Sequence, residues 1–159
     1  MPVDAIIIHS ISLPPGCYQG NDIDDFFTNQ LDCEKNPFYD ELRDLKVSSH
    51  LFIRRSGELV QYVNLLDRAW HAGLSRMHER ENCNDFSIGI ELEGTDTGDF
   101  EAAQYKTLTH VAAALLDYFP EISKQRIVGH SDIAPGRKTD PGIGFEWQRW
   151  LTMLAKYVK

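Results

Sequence analysis

The pattern of apolar and polar positions divides the chain into short strands and a few longer helices. A continuous apolar run starts at Ala5 and ends at His9, and its β-branched residues predict a buried strand. Two further apolar segments flank Ser56-Gly57, which predicts a hairpin because the glycine tolerates a positive φ. The predicted strands are residues 5–9, 51–55, 59–63, 87–92 and 126–129.

Helical periodicity is clearest between Glu101 and Phe119, where apolar residues recur three and four positions apart until Pro120 ends the pattern. Asn36-Pro37 is typical of an N-cap followed by proline in the first turn. The predicted helices are residues 22–31, 37–45, 101–119 and 146–158. Because strands and helices interleave, we expect one α/β domain over residues 1–159, with a central mixed sheet flanked by helices.

Composition narrows the class of partner. The 16 Lys and Arg against 24 Asp and Glu leave a net charge of −8, which argues against nucleic acid and anionic membranes as partners. The 3 cysteines are widely spaced and form no C-x-x-C pair. We find no basic leader segment and no apolar run of the roughly 20 residues that span a bilayer. These features lead us to expect a cytoplasmic protein.

Three places carry residues with catalytic or ligand chemistry. His9 ends an apolar strand. It is either a functional histidine or one whose ring is hydrogen-bonded to a backbone carbonyl. In the strand from Ser87, one face is apolar and the other presents Gly89, Glu91 and Glu93. That face is either the floor of a cleft with room for a ligand or a solvated acidic surface. Residues 129–142 form the third place, which is either a functional loop or a charged connection.

Taken together, these places suggest a metal site. His9 and His130 each follow a predicted strand, and Asp140 lies on the loop beyond His130. Two imidazoles, one carboxylate and an open fourth position suit a hydrolytic zinc. Glu91 could then accept a proton from water, and Lys138 could stabilise charge on a carbonyl oxygen. The chain contains no H-E-x-x-H motif, so distant segments would have to assemble the site.

Four blocks in order then give the chain a family resemblance. They are HSISLPPG (residues 9–16), RAWHAG (68–73), CNDFSIGIELEGTD (83–96) and GHSDIAPGRKTDPG (129–142). With these blocks the chain resembles the N-acetylmuramoyl-L-alanine amidases of the peptidoglycan-recognition-protein fold, and most of all the cytosolic AmpD-type amidases of anhydro-muropeptides. The resemblance implies a mostly six-stranded mixed sheet. It also implies hydrolysis of the amide between the lactyl group of N-acetylmuramic acid and L-alanine, as part of peptidoglycan recycling.

The resemblance also implies the roles of individual residues. Zinc would be held by His9, His130 and Asp140 with a water as fourth ligand, Glu91 would be the general base, and Lys138 would stabilise the oxyanion. The implied substrate-binding residues are Ser10, Trp70, His71, Ala134 and Arg137. Relatives usually have asparagine in place of Ser10, so contacts to the substrate are expected to differ there.

Two alternatives to a recycling zinc amidase stay open. One is a peptidoglycan-binding module of the same fold without catalysis, and the other is an amidase that acts on polymeric cell wall. For the leading hypothesis we expect a monomer that binds a muropeptide and neither nucleic acid nor membrane. Among the other histidines, His50 and His71 are expected to border the cleft, whereas His78 and His110 lack any functional context.

Overall fold

The computed structural model describes residues 2–158. Its strands are β1 (Ala5–Ile11), β2 (Leu51–Ile53), β3 (Leu59–Gln61), β4 (Arg76–Met77), β5 (Arg80–Glu81), β6 (Ser87–Glu93) and β7 (Ile127–Gly129). Its α-helices are α1 (Asp22–Phe27), α2 (Ala102–Tyr118), α3 (His130–Ile133) and α4 (Trp147–Leu154). Short 3-10 helices cover Cys33–Lys35, Pro37–Leu42, Cys83–Asp85 and Lys124–Arg126.

The central sheet has the strand order β3-β2-β6-β1-β7. β1 runs parallel to β6 on one side and to β7 on the other, and β2 runs parallel to β6. Only β3 is antiparallel, because it forms the predicted hairpin with β2. The carboxyl ends of β1, β6 and β7 therefore lie at the same edge of the sheet, which is where open α/β sheets place their ligands.

The two faces of the sheet bury different clusters. Ile8 and Ile90 represent the face that packs against α2 and α4, together with Trp150 at no solvent exposure. The opposite face carries Ile7, which packs with Phe86 and Ile133. Since β1 is covered on both faces, its sequence contains the near-continuous apolar run typical of a central parallel strand.

The predicted sheet class and the five strands predicted from the apolar pattern are confirmed, but the mostly six-stranded sheet that the resemblance implied is wrong. The sheet has five strands, and a separate two-stranded ribbon is formed by β4 and β5. These two strands are only two residues long each and pair with one another around His78, whose φ of 53° reverses the chain. Met77 of β4 is buried against Phe86 and Ile133, while the ribbon itself is shorter than an ordinary strand pair.

Helix boundaries also differ from the predictions. The segment after Asn36 is a 3-10 helix that ends at Leu42, and Asn36 caps it by accepting a hydrogen bond from the backbone N–H of Phe38. Within it Tyr39 is fully buried, and its hydroxyl donates to Asp22 at 2.8 Å. Short 3-10 turns suit a segment that one buried side chain holds in place. Helices α1 and α4 each end before their predicted C-termini, at Phe27 and Leu154.

None of the helices within residues 2–158 is both long enough and apolar enough to cross a membrane.

Candidate active site

Three ligand atoms meet at the carboxyl end of the sheet. The Nδ1 atoms of His9 and His130 lie 3.0 Å apart, and each lies 3.1 Å from Oδ2 of Asp140. His9 belongs to β1, His130 begins α3 directly after β7, and Asp140 follows on the loop beyond α3. Both imidazoles are buried, with exposures of 1% and 4%. The predicted metal-ligand set is thus brought together from three segments that are distant in sequence.

A chain of hydrogen bonds determines which nitrogen of His9 carries its proton. The Ser87 hydroxyl donates to the carbonyl of Cys83 at 2.6 Å, so its oxygen accepts from Nε2 of His71 at 3.3 Å. Nδ1 of His71 then has a free lone pair and accepts from Nε2 of His9 at 2.9 Å. Burial lowers the pKa of His71 well below its usual value and that of His9 to about 4, so both rings are neutral. Nδ1 of His9 therefore points into the site without a proton.

His130 is oriented in the same way by a different partner. Its Nε2 donates to the backbone carbonyl of Ala72 at 3.0 Å, so Nδ1 is the ring nitrogen that faces the site. The Nδ1 atoms of both histidines and a carboxylate oxygen then face one another within 3.1 Å. This arrangement is unfavourable unless a cation lies among them, and N, N and O donors on orienting hydrogen bonds suit zinc. His9, His130 and Asp140 therefore fit the expected metal.

Glu91 lies beside this cluster, because it pairs with His9 in the register of β6 and β1. It is 7% exposed, and among residues 2–158 its Oε2 has no hydrogen-bond partner. Burial raises the pKa of Glu91 well above its usual value, the nearby Asp140 raises it further, and Lys138 opposes both. A buried carboxyl with a raised pKa and a free oxygen can accept and return a proton near neutral pH.

A cavity of about 270 Å³ opens above these groups. Its polar lining includes the three ligand candidates with Glu91, Lys138 and His71, while Phe26, Phe27, Phe38 and Leu45 are among its apolar lining residues. Trp70 stands at its rim with 54% exposure, and the guanidinium of Arg68 lies 4.1 Å from the centre of its ring. The cavity therefore combines an apolar wall with a polar floor.

A larger open groove of about 780 Å³ lies on the other side of Lys138. Lys138 and Thr139 line it together with Ile143, which is 91% exposed, and Trp147. Lys138 borders both spaces, so a substrate longer than the small cavity could extend past this lysine.

The face of β6 that carries Glu91 and Glu93 is not a solvated acidic surface, because both residues are buried, and it is only partly the floor of a cleft. A Cβ at Gly89 would lie 2.4 Å from Cγ of His71, so the space beside this glycine is filled by the imidazole and is not left for a ligand. Glu93 does not reach the cluster, because its carboxylate accepts a hydrogen bond from the backbone N–H of Arg55 at 2.9 Å. Glu91 alone brings a carboxylate from this strand to the cavity.

The residues predicted to bind substrate are not all in the cavity. Ser10, Trp70 and His71 line it, although the ring nitrogens of His71 are engaged with His9 and Ser87. Ala134 is buried at the end of α3 and Arg137 lies outside the lining. Substrate binding by these five residues stays a prediction.

Arg137 already has backbone partners. Its Nε donates to the carbonyl of Leu74 at 3.1 Å, and one terminal nitrogen donates to the carbonyls of Ala72 and Leu74 at 2.7 and 2.6 Å. These bonds link the segment that carries His71 and Ala72 to the loop between α3 and Asp140. The second terminal nitrogen is the donor left for a carboxylate.

The ring of His50 lies next to that of His71, and both of its nitrogens bond to backbone groups. It accepts from the N–H of Gly89 at 3.0 Å, and its Nε2 bonds to the carbonyl of Asp67 at 3.0 Å. It therefore links β6 to the loop before Trp70 and does not line the cavity. His78 lies in the turn between β4 and β5, and His110 is exposed on α2, so neither is near the cluster.

Ser87 and Asp96 take part in this site without having been singled out from sequence. Ser87 shares the strand face of Glu91, so the alternation along β6 could have indicated it. Asp96 carried no local signal, because its partners Ser10 and Thr139 lie far away along the chain.

Comparison with known proteins identifies the family of this chain. A family model described as N-acetylmuramoyl-L-alanine amidase matches residues 1–143. The curated protein "1,6-anhydro-N-acetylmuramyl-L-alanine amidase AmpD" of Escherichia coli is 53% identical over 151 residues, which cover 95% of this chain and 82% of that protein. A crystal structure of a selenomethionine AmpD derivative superposes with a TM-score of 0.94 at 48% identity, covering 97% of this chain and 86% of the other.

A more distant structure was solved with a substrate. It is the complex of the Escherichia coli amidase AmiD with anhydro-N-acetylmuramic acid-L-Ala-D-gamma-Glu-L-Lys, at a TM-score of 0.69 and 30% identity, covering 95% of this chain and 57% of that chain. The family match spans most of the chain and includes His9, His130 and Asp140. The chain therefore belongs to the N-acetylmuramoyl-L-alanine amidases.

Proposed function

We propose that this chain is a zinc-dependent amidase that releases the stem peptide from 1,6-anhydro-N-acetylmuramic acid in peptidoglycan recycling. The bond cleaved would join the lactyl carbonyl to the nitrogen of L-alanine. The observation that carries the proposal is the convergence of His9, His130 and Asp140 on one point beside the unpaired carboxyl oxygen of Glu91.

Zinc bound by His9, His130 and Asp140 would polarise the scissile carbonyl and lower the pKa of an adjacent water. Glu91 would take a proton from that water while the water oxygen attacks the carbonyl carbon. Its raised pKa means that it can hold the proton until the carbon–nitrogen bond breaks, and then give it to the departing amine of L-alanine. The ammonium of Lys138, at the edge of the same cavity, would stabilise negative charge on the carbonyl oxygen.

The anhydro-muropeptide is supported as substrate by the names of the relatives. AmpD of Escherichia coli is named for 1,6-anhydro-N-acetylmuramyl-L-alanine, and AmiD was solved with an anhydro-muropeptide. A cytoplasmic location belongs to the same proposal, and the three free cysteines are compatible with a reducing compartment.

Two measurements test the proposal. Zinc content of the purified protein should be one equivalent, and Asp140→Ala should lose it while remaining folded. Peptide release should be much faster from anhydro-muropeptide than from intact sacculi. A wild-type protein without zinc would contradict the metal site. A preference for sacculi would instead favour an amidase of polymeric cell wall, and zinc without any turnover would favour a binding module.

A further inference from the structure

Asp96 lies three residues beyond the end of β6 and joins two segments of the site. Its Oδ1 accepts a hydrogen bond from the hydroxyl of Ser10 at 3.0 Å, and its Oδ2 accepts one from the hydroxyl of Thr139. One half-buried carboxylate thus receives hydroxyls from two parts of the chain that are 129 residues apart, at positions 10 and 139.

The two partners are the covalent neighbours of proposed metal ligands. Ser10 directly follows His9 on β1, and Thr139 directly precedes Asp140 on the loop. The carboxylate of Asp96 therefore connects the backbone that carries one ligand to the backbone that carries another. The hydrogen bonds of the Asp96 carboxylate go to Ser10 and Thr139, and not to the proposed ligands His9 and Asp140 themselves.

Backbone contacts hold Asp96 in place for this task. Its carbonyl accepts from the N–H of Gly144 at 3.1 Å. A Cβ at Gly142 would lie 2.1 Å from the same carbonyl oxygen, so the loop beyond Asp140 packs directly against the backbone of Asp96. On its other side the loop is closed by the N–H of Ser131, which donates to the carbonyl of Asp140 at 3.0 Å.

We propose that Asp96 is a positioning residue that sets the separation of His9 and Asp140 and so preorganises the site for zinc. The inference rests on the proposed function. Partners that orient metal ligands without touching the metal typically change metal affinity by about 10- to 100-fold when they are removed. Here Asp96 would orient the ligands by holding the backbone next to His9 and Asp140, without bonding to a ligand side chain.

The test compares zinc affinities of intact variants by competition with a chromogenic chelator. Asp96→Ala should bind zinc about 10- to 100-fold more weakly than the wild type. Asp96→Asn should recover most of the affinity, because an amide can accept one hydroxyl and donate to the other. The d–d absorption bands of the cobalt-substituted protein should shift in Asp96→Ala and return in Asp96→Asn, which a general loss of stability would not produce.

Asp4 provides a matched control at the opposite end of β1. Its half-buried carboxylate binds Arg80 and Arg126, each at 2.5 Å. Asp4→Ala should lower the free energy of unfolding and leave zinc affinity unchanged. Should Asp96→Ala not fold, Ser10→Ala and Thr139→Val each remove one link and should each weaken zinc binding several-fold.

Wild-type affinity in Asp96→Ala, or in both single-link variants, would overturn the inference. Equal weakening in Asp4→Ala would also overturn it, because the effect would then follow from stability alone. Failure of the proposed function has a different signature, since the wild type itself would then contain no stoichiometric zinc.

Discussion

His9 and Glu91 are paired in the parallel register of β1 and β6, with both side chains on the same face of the sheet. The proposed metal ligand and the proposed base are thus held at neighbouring positions by backbone hydrogen bonds of two central strands. Such strands are the most rigid part of an α/β domain, and catalytic groups on rigid elements keep their spacing accurately. The remaining ligands reach the same point from the end of β7 and its following loop.

Removal of the Glu91 carboxylate should separate metal binding from turnover. Glu91→Gln should lower kcat about 10²- to 10⁴-fold, the usual contribution of a general base, while zinc content is unchanged. Glu93→Gln is the matched control, because Glu93 lies two positions along the same strand and binds the backbone of Arg55. It should keep wild-type turnover within a small factor. Steady-state kinetics with metal analysis decides the matter, and near-normal turnover in Glu91→Gln would exclude Glu91 as the base.

Lys138 should matter to the chemical step more than to substrate binding. Lys138→Met removes the side-chain charge proposed to stabilise the developing oxyanion, and kcat should fall about 10²- to 10³-fold with a smaller change in KM. Lys106→Met changes an exposed lysine on α2 and should be neutral. If KM rises and kcat is unaffected, Lys138 binds the substrate without stabilising the transition state.

His71 should influence zinc affinity although it is not a ligand. In His71→Ala, Nε2 of His9 loses the acceptor that keeps its proton away from Nδ1. We expect zinc affinity to fall about 10- to 100-fold. His110→Ala, on the exposed side of α2, is the control and should bind zinc as the wild type does. Isothermal titration of the metal-free proteins with zinc measures the affinity of each variant. Equal affinities of His71→Ala and the wild type would show that His9 needs no orientation by His71.

The pH dependence of stability should reveal the buried Glu91. Its pKa is raised in the folded protein, so above the ordinary value of 4.5 the folded state retains a proton that the unfolded state has lost. The free energy of unfolding should then fall as the pH rises from 4.5 towards the folded pKa, by at most about 1.4 kcal/mol per pH unit.

Glu91→Gln removes the titratable carboxyl and with it this pH-dependent loss in the free energy of unfolding. Metal-free wild type and Glu91→Gln should have similar stability near pH 5, and the variant should become increasingly more stable towards pH 8. Urea unfolding of both proteins at a series of pH values measures the difference. Glu121→Gln, at an exposed position, should follow the wild type throughout. A constant difference between wild type and Glu91→Gln would show that Glu91 ionises normally in the folded protein.

Local patterns in the sequence determined the elements and the chemistry of the residues at their ends. The apolar run before His9, the alternation around Glu91 and the periodicity of α2 each depend on neighbours within a few residues, and the structure has the predicted strand or helix at each place. The four ordered blocks also predicted the family, because they resemble it in the same order along most of the chain.

Tertiary structure alone decided how those residues are used. Gly89 proved to make room for His71 because a ring from a distant loop packs against it, and Glu93 turned out to bind Arg55. The tautomer of His9 depends on Ser87 and Cys83, and Asp96 joins Ser10 to Thr139 by hydrogen bonds. Hydrogen bonds and steric contacts of this kind join residues far apart in the chain, so no local pattern in the sequence encodes them.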